Sequence, residues 1–155
     1  MQNHMRVEFD AVSQNESFAR FVAGAFFTQL NPTLEEIADV KTAVSEAVTN
    51  CIVHGYQGRK GTVIMDCTIS GNEMILSIMD QGIGIQDIDQ ARQPFFTTSP
   101  GDERSGMGFT VMETFMDGLS VESTYGQGTC VRMRKQVALA NALEQEDEED
   151  ANVAG

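Results

Sequence analysis

The sequence predicts an α/β sandwich of the α+β kind, with a mostly antiparallel mixed sheet and helices layered on one face. Three observations predict it. Two segments repeat apolar residues at helical spacing behind capping patterns. Two pairs of alternating segments are each joined by a glycine-containing turn, the mark of antiparallel hairpins. The chain has 155 residues, 41% of them apolar and 21% charged, which suits one respectable core. A single folded unit is expected over residues 1–136, followed by an acidic tail, 137–155, whose clustered Glu and Asp residues are expected to keep it disordered.

The first element is a strand at Arg6–Phe9, with Val7 and Phe9 on one face. A helix starts near Ser13, where Ser13-x-x-Glu16 has the capping-box pattern. Its Phe18, Phe21, Val22, Ala25, Phe26 and Leu30 recur at helical spacing and are expected to face the core. Glu16, Arg20, Ala23 and Phe27 then fall on the opposite side, where an aromatic ring in water suggests a protein-binding surface, unless a neighbouring element covers it. Asn31-Pro32-Thr33 breaks that helix, and Thr33-x-x-Glu36 opens a second one running to His54, with Gly55 at the C′ position.

Strands at Thr62–Ser70 and Met74–Asp80 flank the turn Gly71-Asn72. Residues 81–108 read as a long loop holding a short helix near Asp87–Arg92, and a loop of that length is usually a lid or a binding segment. A helix at Met107–Phe115 and strands at Gly118–Ser123 and Thr129–Arg134 complete the pattern, the last two joined by Tyr125-Gly126-Gln127-Gly128.

Composition narrows the function classes. The net charge is −13, with much of it in the tail, so direct binding to a nucleic-acid backbone is disfavoured. No apolar run approaches the roughly 20 residues that cross a bilayer, and the first residues lack a signal-peptide core, so a cytoplasmic protein without membrane attachment is expected. Cys51, Cys67 and Cys130 are odd in number and far apart, which predicts buried free thiols rather than disulfides or a zinc site.

Three short motifs carry the chemistry: Glu46-x-x-x-Asn50-x-x-x-His54-Gly55, Asp80-Gln81-Gly82-Ile83-Gly84 and Arg104-Ser105-Gly106-Met107-Gly108. On a helix, Glu46, Asn50 and His54 share one face, so a metal ligand and a base can sit together. The Asn50 amide oxygen is a hard neutral ligand of the kind Mg²⁺ accepts beside nucleotide phosphates. Glu46, one turn earlier, can take a proton from an attacking hydroxyl or water. His54 reads as a helix-end residue rather than a catalyst.

Asp80 ends a strand ahead of two glycines, Gly82 and Gly84, whose bare backbone admits a flat ligand, and its carboxylate can accept from the exocyclic amine of adenine. Guanine would present lone pairs to that anion, so ATP is favoured over GTP. Gly106 and Gly108 precede a helix whose free amides suit phosphate. Arg104 can bring positive charge to the γ-phosphate, the alternative being a pair with Asp102 or Glu103. Thr97, Thr98 and Ser105 are further hydroxyl donors that the sequence does not rank.

These motifs resemble those of the Bergerat-fold ATPases, the superfamily of gyrase, Hsp90, histidine kinases and mismatch-repair ATPases, over roughly Glu46 to Thr129. Pro94-Phe95-Phe96-Thr97-Thr98 and Arg104-Ser105-Gly106-Met107-Gly108-Phe109 resemble the lid of the kinase branch. Ser45-Glu46-Ala47-Val48-Thr49-Asn50, Ala91-Arg92-Gln93-Pro94 and Phe109-Thr110-Val111-Met112-Glu113 are similar to the anti-sigma-F family of endospore-forming bacteria.

The resemblance implies ATP and Mg²⁺ as cofactors, Asn50 as the magnesium ligand, Glu46 as the base, and Thr129 as a helper at adenine. It also implies a serine kinase acting on an anti-anti-sigma factor, sequestration of sigma F in the ATP-bound state, a role in sporulation, and a homodimer. The Glu16, Arg20 and Phe27 side is the expected partner or dimer surface. Other readings remain: an ATP-gated protein-binding module, which would keep Asn50, Asp80 and the glycines without requiring Glu46, or a histidine-kinase-type ATPase domain. The latter would call for a phosphoacceptor helix pair, for which the stretch before the Asn50 helix leaves little room.

Overall fold

The computed structural model describes residues 1–94 and 107–138. Five strands form one sheet: β1 Gln2–Asp10, β2 Thr62–Ser70, β3 Glu73–Asp80, β4 Gly118–Thr124 and β5 Gly128–Gln136. Their order is β1-β2-β3-β5-β4, and every pairing is antiparallel, in line with the mostly antiparallel sheet expected, with no parallel pair among the described residues. The helices are α1 Gln14–Phe27, α2 Leu34–Asn50, α3 Ile88–Ala91 and α4 Gly108–Phe115.

Side-chain alternation sets which face is covered. Val7, Met65, Ile78, Val131 and Val121 stand side by side across all five strands, and Met5, Cys67, Leu76, Met133 and Leu119 make the next row. These rows lie under the helices, with Met65, Cys67, Leu76 and Ile78 fully buried. The intervening row on the other face is Arg6, Asp66, Ser77, Arg132 and Ser120, mostly polar, as expected of a sheet covered on one side. Strand β1 starts four residues before the expected Arg6, because backbone pairing with β2 extends through its polar edge as far as Gln2 opposite Ser70.

Two readings of α1 need correction. Ser13 makes no side-chain cap bond, because its backbone is already helical at φ −55° and ψ −35°. Thr33 has the extended conformation a cap requires, φ −71° and ψ 162°, and there the box closes in both directions, 3.1 Å from Glu36 N to Thr33 Oγ1 and 2.9 Å from Thr33 N to Glu36 Oε1.

The inward face of α1 is also rotated from the expected one: Leu30 is buried and Val22 and Phe26 pack against the core as expected, but Ala23 and Phe27, expected outside, are inside too. Ala19, Ala23 and Phe27 are fully buried, whereas Phe21 is 60% exposed and Phe18 46%. Small residues decide the orientation by letting α1 approach α2: a Cβ on Gly24 would lie 2.8 Å from Lys41 Cε. Phe27 is therefore a core residue and not a surface one. Phe27→Ala is expected to cost about 3–5 kcal/mol of unfolding free energy, read from denaturant midpoints at unchanged m-value.

Helix α2 ends at Asn50, not at His54. It continues as a π turn over Cys51–Gly55, closed by a 2.8 Å bond from Tyr56 N to Cys51 O. Gly55 is not a left-handed cap; that conformation falls to Gln57 and Gly58, φ +54° and +78°. Buried Lys135 on β5 donates to Asp39 on α2 at 3.1 Å and to the Phe115 carbonyl ending α4 at 2.7 Å, so one cation ties the sheet to both helices.

Cys51 and Cys67 are buried free thiols as expected, and Cys130 is half-buried. Among the described residues, no helix is long and apolar enough to cross a membrane. The acidic segment 139–155 and residues 95–106, which include Thr97, Thr98, Arg104, Ser105 and Gly106, lie outside the described residues.

Candidate functional site

A cavity of about 650 Å³ opens between α2, its π turn, the end of β3 and the start of α4. Its lining includes Asn50, Asp80, Gly84, Gly108 and Thr129, so residues from separate sequence motifs meet in one place. His54 also lines it, although the π turn interrupts the regular helical register it was expected to share with Asn50. Glu46 stands beside the lining rather than in it. A Cβ on Gly108 would lie 3.2 Å from the Asn50 amide atoms and 3.4 Å from Glu46 Oε2. The bare Cα of Gly108 thus lets α4 begin directly against both side chains.

Asp80 is 9% exposed. Its Oδ1 accepts from Gly82 N–H at 2.9 Å. Burial pushes this carboxyl above the usual aspartate range, and hydrogen bonds from Gly82, the Cys51 thiol and the Thr129 backbone pull the other way. The Cys51 thiol is itself held well above its ordinary value, first by burial and then by the Asp80 charge. A buried carboxylate held by donors on several sides retains acceptor capacity for a ligand amine.

The glycines after Asp80 are required by close approach. A Cβ on Gly82 would fall 2.2 Å from the Gly55 carbonyl oxygen. One on Gly84 would meet the Thr124 carbonyl oxygen at 2.4 Å, at φ +74°.

Thr129 faces Asp80 across the β3–β5 ladder. Ser123 Oγ lies 2.9 Å from Thr129 Oγ1, donates to the Gly128 carbonyl at 3.0 Å and accepts from Ile85 N–H at 2.7 Å. Ser123 and Thr129 thus share one hydrogen-bonded network at the wall of the cavity that Thr129 lines.

Three contributors escaped sequence reasoning. Cys51 sits beside Asp80, Ser123 hydrogen-bonds with Thr129, and Tyr56 grips the turn after Asp80. A cysteine following a motif and an exposed-looking strand serine carry no pattern of their own. Only the Cys51 position, next to Asn50, could have hinted at the pocket.

The donor set suits magnesium on one side: Asn50 lines the cavity and offers a neutral hard oxygen. No group of three or more His, Cys, Asp or Glu residues placed to hold a metal occurs among the described residues, so an ion here would take its remaining ligands from phosphate and water.

Residues 10–135 match the histidine kinase-like ATPase domain. The anti-sigma F factor of Thermoanaerobacter sp. strain X514 is 59% identical over 135 residues, 87% of this chain and 94% of that protein. The chain belongs to the anti-sigma F factor family. That of Bacillus subtilis strain 168 is 49% identical over 144 residues, 92% of this chain and 99% of that protein.

Solved structures agree on the fold of this family member. The RsbU and RsbW domains of a Mycobacterium tuberculosis protein superpose with a TM-score of 0.63 at 18% identity, covering 86% of this chain and 32% of that one. The catalytic domain of histidine kinase ThkA gives 0.57 at 13% identity, covering 88% and 99%. An anti-sigma F factor built on an ATPase domain is therefore expected to bind ATP, and the cavity described above is the place with the chemistry to do so.

Proposed function

We propose that this chain is an ATP-dependent serine protein kinase that also sequesters sigma F, and so controls sporulation transcription in the cytoplasm. The observation that carries the kinase half is the convergence of Glu46 and Asn50, one helical turn apart, on the bare Cα of Gly108 beside the Asp80 cavity. A pure nucleotide-binding module would not require a carboxylate there.

In this reading Asp80, backed by Thr129, accepts from the adenine amine, and Gly82 and Gly84 let the turn after Asp80 pack against the Gly55 and Thr124 carbonyls, which fixes the wall of the base site. Asn50 would hold Mg²⁺, which when bound neutralises phosphate charge. The amides at Gly106 and Gly108 would receive phosphate oxygens at the start of α4. Arg104 would supply fixed positive charge to the γ-phosphate; this and the Gly106 role rest on the motif and the family resemblance.

Glu46 takes the proton from the serine hydroxyl of the anti-anti-sigma factor as its oxygen bonds to the γ-phosphorus and the bond to the β-phosphate oxygen breaks, releasing ADP.

The partner surface includes Glu16 and Arg20 on α1. Exposed Phe21 takes the place once assigned to Phe27: Arg20 and Lys41 lie over its ring at 5.6 and 5.0 Å from the centroid. Aromatic residues, Phe among them, and arginine are enriched at protein interfaces. A homodimer, implied by family membership, completes the reading.

The deciding experiment mixes purified protein, Mg-ATP and the anti-anti-sigma protein. Phosphoserine on the partner is the expected result, and its absence would sink the kinase assignment. In parallel, sigma F is expected to bind more tightly with ATP than with ADP, measured by calorimetry; equal affinities would remove the nucleotide switch.

A further inference from the structure

We propose that Tyr56 is a positioning residue for nucleotide binding, its buried hydroxyl stapling the turn that carries Asp80 to the end of the Asn50 helix; this rests on the reading that Asp80 recognises adenine. Tyr56 is 7% exposed. Its hydroxyl donates to the Thr62 carbonyl at 2.6 Å and accepts from Gln81 N–H at 2.8 Å. A phenolic oxygen with both roles occupied inside the fold joins three segments at once: the residue after the π turn, the first residue of β2 and the first residue beyond Asp80.

The neighbouring bonds show what the staple serves. Of the three consecutive amides after Asp80, Gln81 donates to Tyr56 Oη, Gly82 to Asp80 Oδ1 at 2.9 Å, and Ile83 to the Gly55 carbonyl at 2.9 Å. The Gly55-Tyr56 pair therefore holds both ends of the turn, and the middle amide pins one carboxylate oxygen. Gly55 itself presses on that group: a Cβ there would lie 3.0 Å from the Asp80 carboxylate atoms. The π turn delivers this dipeptide to the turn, and Gly61 leaves room for the Tyr56 ring, since a Cβ on Gly61 would be 2.3 Å from ring carbon Cε1.

Without the hydroxyl, Gln81 N–H loses its partner and the turn is held at one end only. Asp80 then samples orientations that miss the adenine amine, so the ground-state and transition-state complexes weaken equally. Such a change raises KM and leaves kcat alone. ADP, which shares the base, should lose the same factor as ATP.

The test is Tyr56→Phe, which keeps the ring. Kd for ATP and for ADP is expected to rise by about tenfold, with phosphoryl transfer at saturating ATP unchanged. Gly61→Ala, which keeps the hydroxyl but pushes the ring that carries it away from Gln81 and Thr62, is expected to reproduce the rise. A folded Tyr56→Phe or Gly61→Ala protein with wild-type affinity overturns the proposal, as does a fall in kcat at unchanged KM. Should one variant not fold, the other decides.

Combining Tyr56→Phe with Asp80→Asn gives a further readout. The loss from Tyr56→Phe should shrink once Asp80 is replaced, and full additivity would show that the tyrosine does not act through it. Wild-type protein that binds GTP as tightly as ATP would instead defeat the Asp80 reading underneath, a result visible before any variant is made.

Discussion

Glu46→Gln is expected to lower phosphoryl transfer to the anti-anti-sigma factor by about 10²- to 10⁴-fold while leaving the Kd for ATP within about twofold of wild type. Glutamine keeps the size and one acceptor oxygen of the side chain and loses its basicity. Glu46 Oε2 stands against Gly108 at the start of α4, close to Asn50, and outside the lining that would enclose the base. Its removal should therefore act on the step that moves a proton and spare the contacts that hold nucleotide. Single-turnover transfer at saturating ATP separates the two. A variant that transfers at the wild-type rate would return the chain to the class of ATP-gated binding modules, for which Glu46 is only a helix carboxylate.

Much of this site was legible because its parts are local. Thr33 and Glu36 close within one turn, Glu46 and Asn50 share a helix, and Asp80 ends a strand whose partner is joined to it by a short turn. The spacing of such groups follows from helix and strand geometry, so sequence distance converts directly to space.

Helix α1 was read with its inward face turned too far toward Phe18 and Phe21, for a different reason. Phe18, Phe21, Phe26 and Phe27 occur around much of its circumference, and a size-weighted reading places the larger number inside. Yet the axis-to-axis approach to α2 selects Ala19, Ala23 and Gly24, with Phe27 filling the space beyond them. Helix packing is settled by the partner's shape, which one helix does not encode.

The same limit hid the π turn. Cys51–Gly55 continues the apolar helical pattern without a break, and only the close contacts of Gly55 with Asp80 and Gly82 show why the chain must widen there. The Tyr56 staple escaped likewise, since its partners, Thr62 and Gln81, sit on other elements.

Asp80→Asn tests whether the buried carboxylate reads the base, and two quantities should move in opposite directions. ATP affinity is expected to fall by about 10²-fold or more, because an amide nitrogen turned toward the adenine amine sets donor against donor in a buried pocket. GTP should lose far less, since its carbonyl can accept from that nitrogen, so the preference for ATP narrows by at least about tenfold in parallel calorimetric titrations.

Unliganded stability should instead hold or rise. Burial raises the Asp80 pKa in the fold, so between the ordinary aspartate value and the raised one the native state binds more protons than the unfolded chain. In that window native stability falls as pH increases, and above it the ionised carboxylate remains a cost. Asparagine removes that cost and can still accept from Gly82 N–H. The wild-type melting temperature without nucleotide should therefore drop as pH rises through the window, and the variant should drop less.

Nucleotide binding has the reverse pH dependence, weakening as pH falls and Asp80 takes up its proton. A variant that is both less stable than wild type at neutral pH and undiminished in ATP affinity would show that Asp80 is a structural group. The opposite pair of results would mark a carboxylate kept ionised for its ligand at the expense of the empty fold.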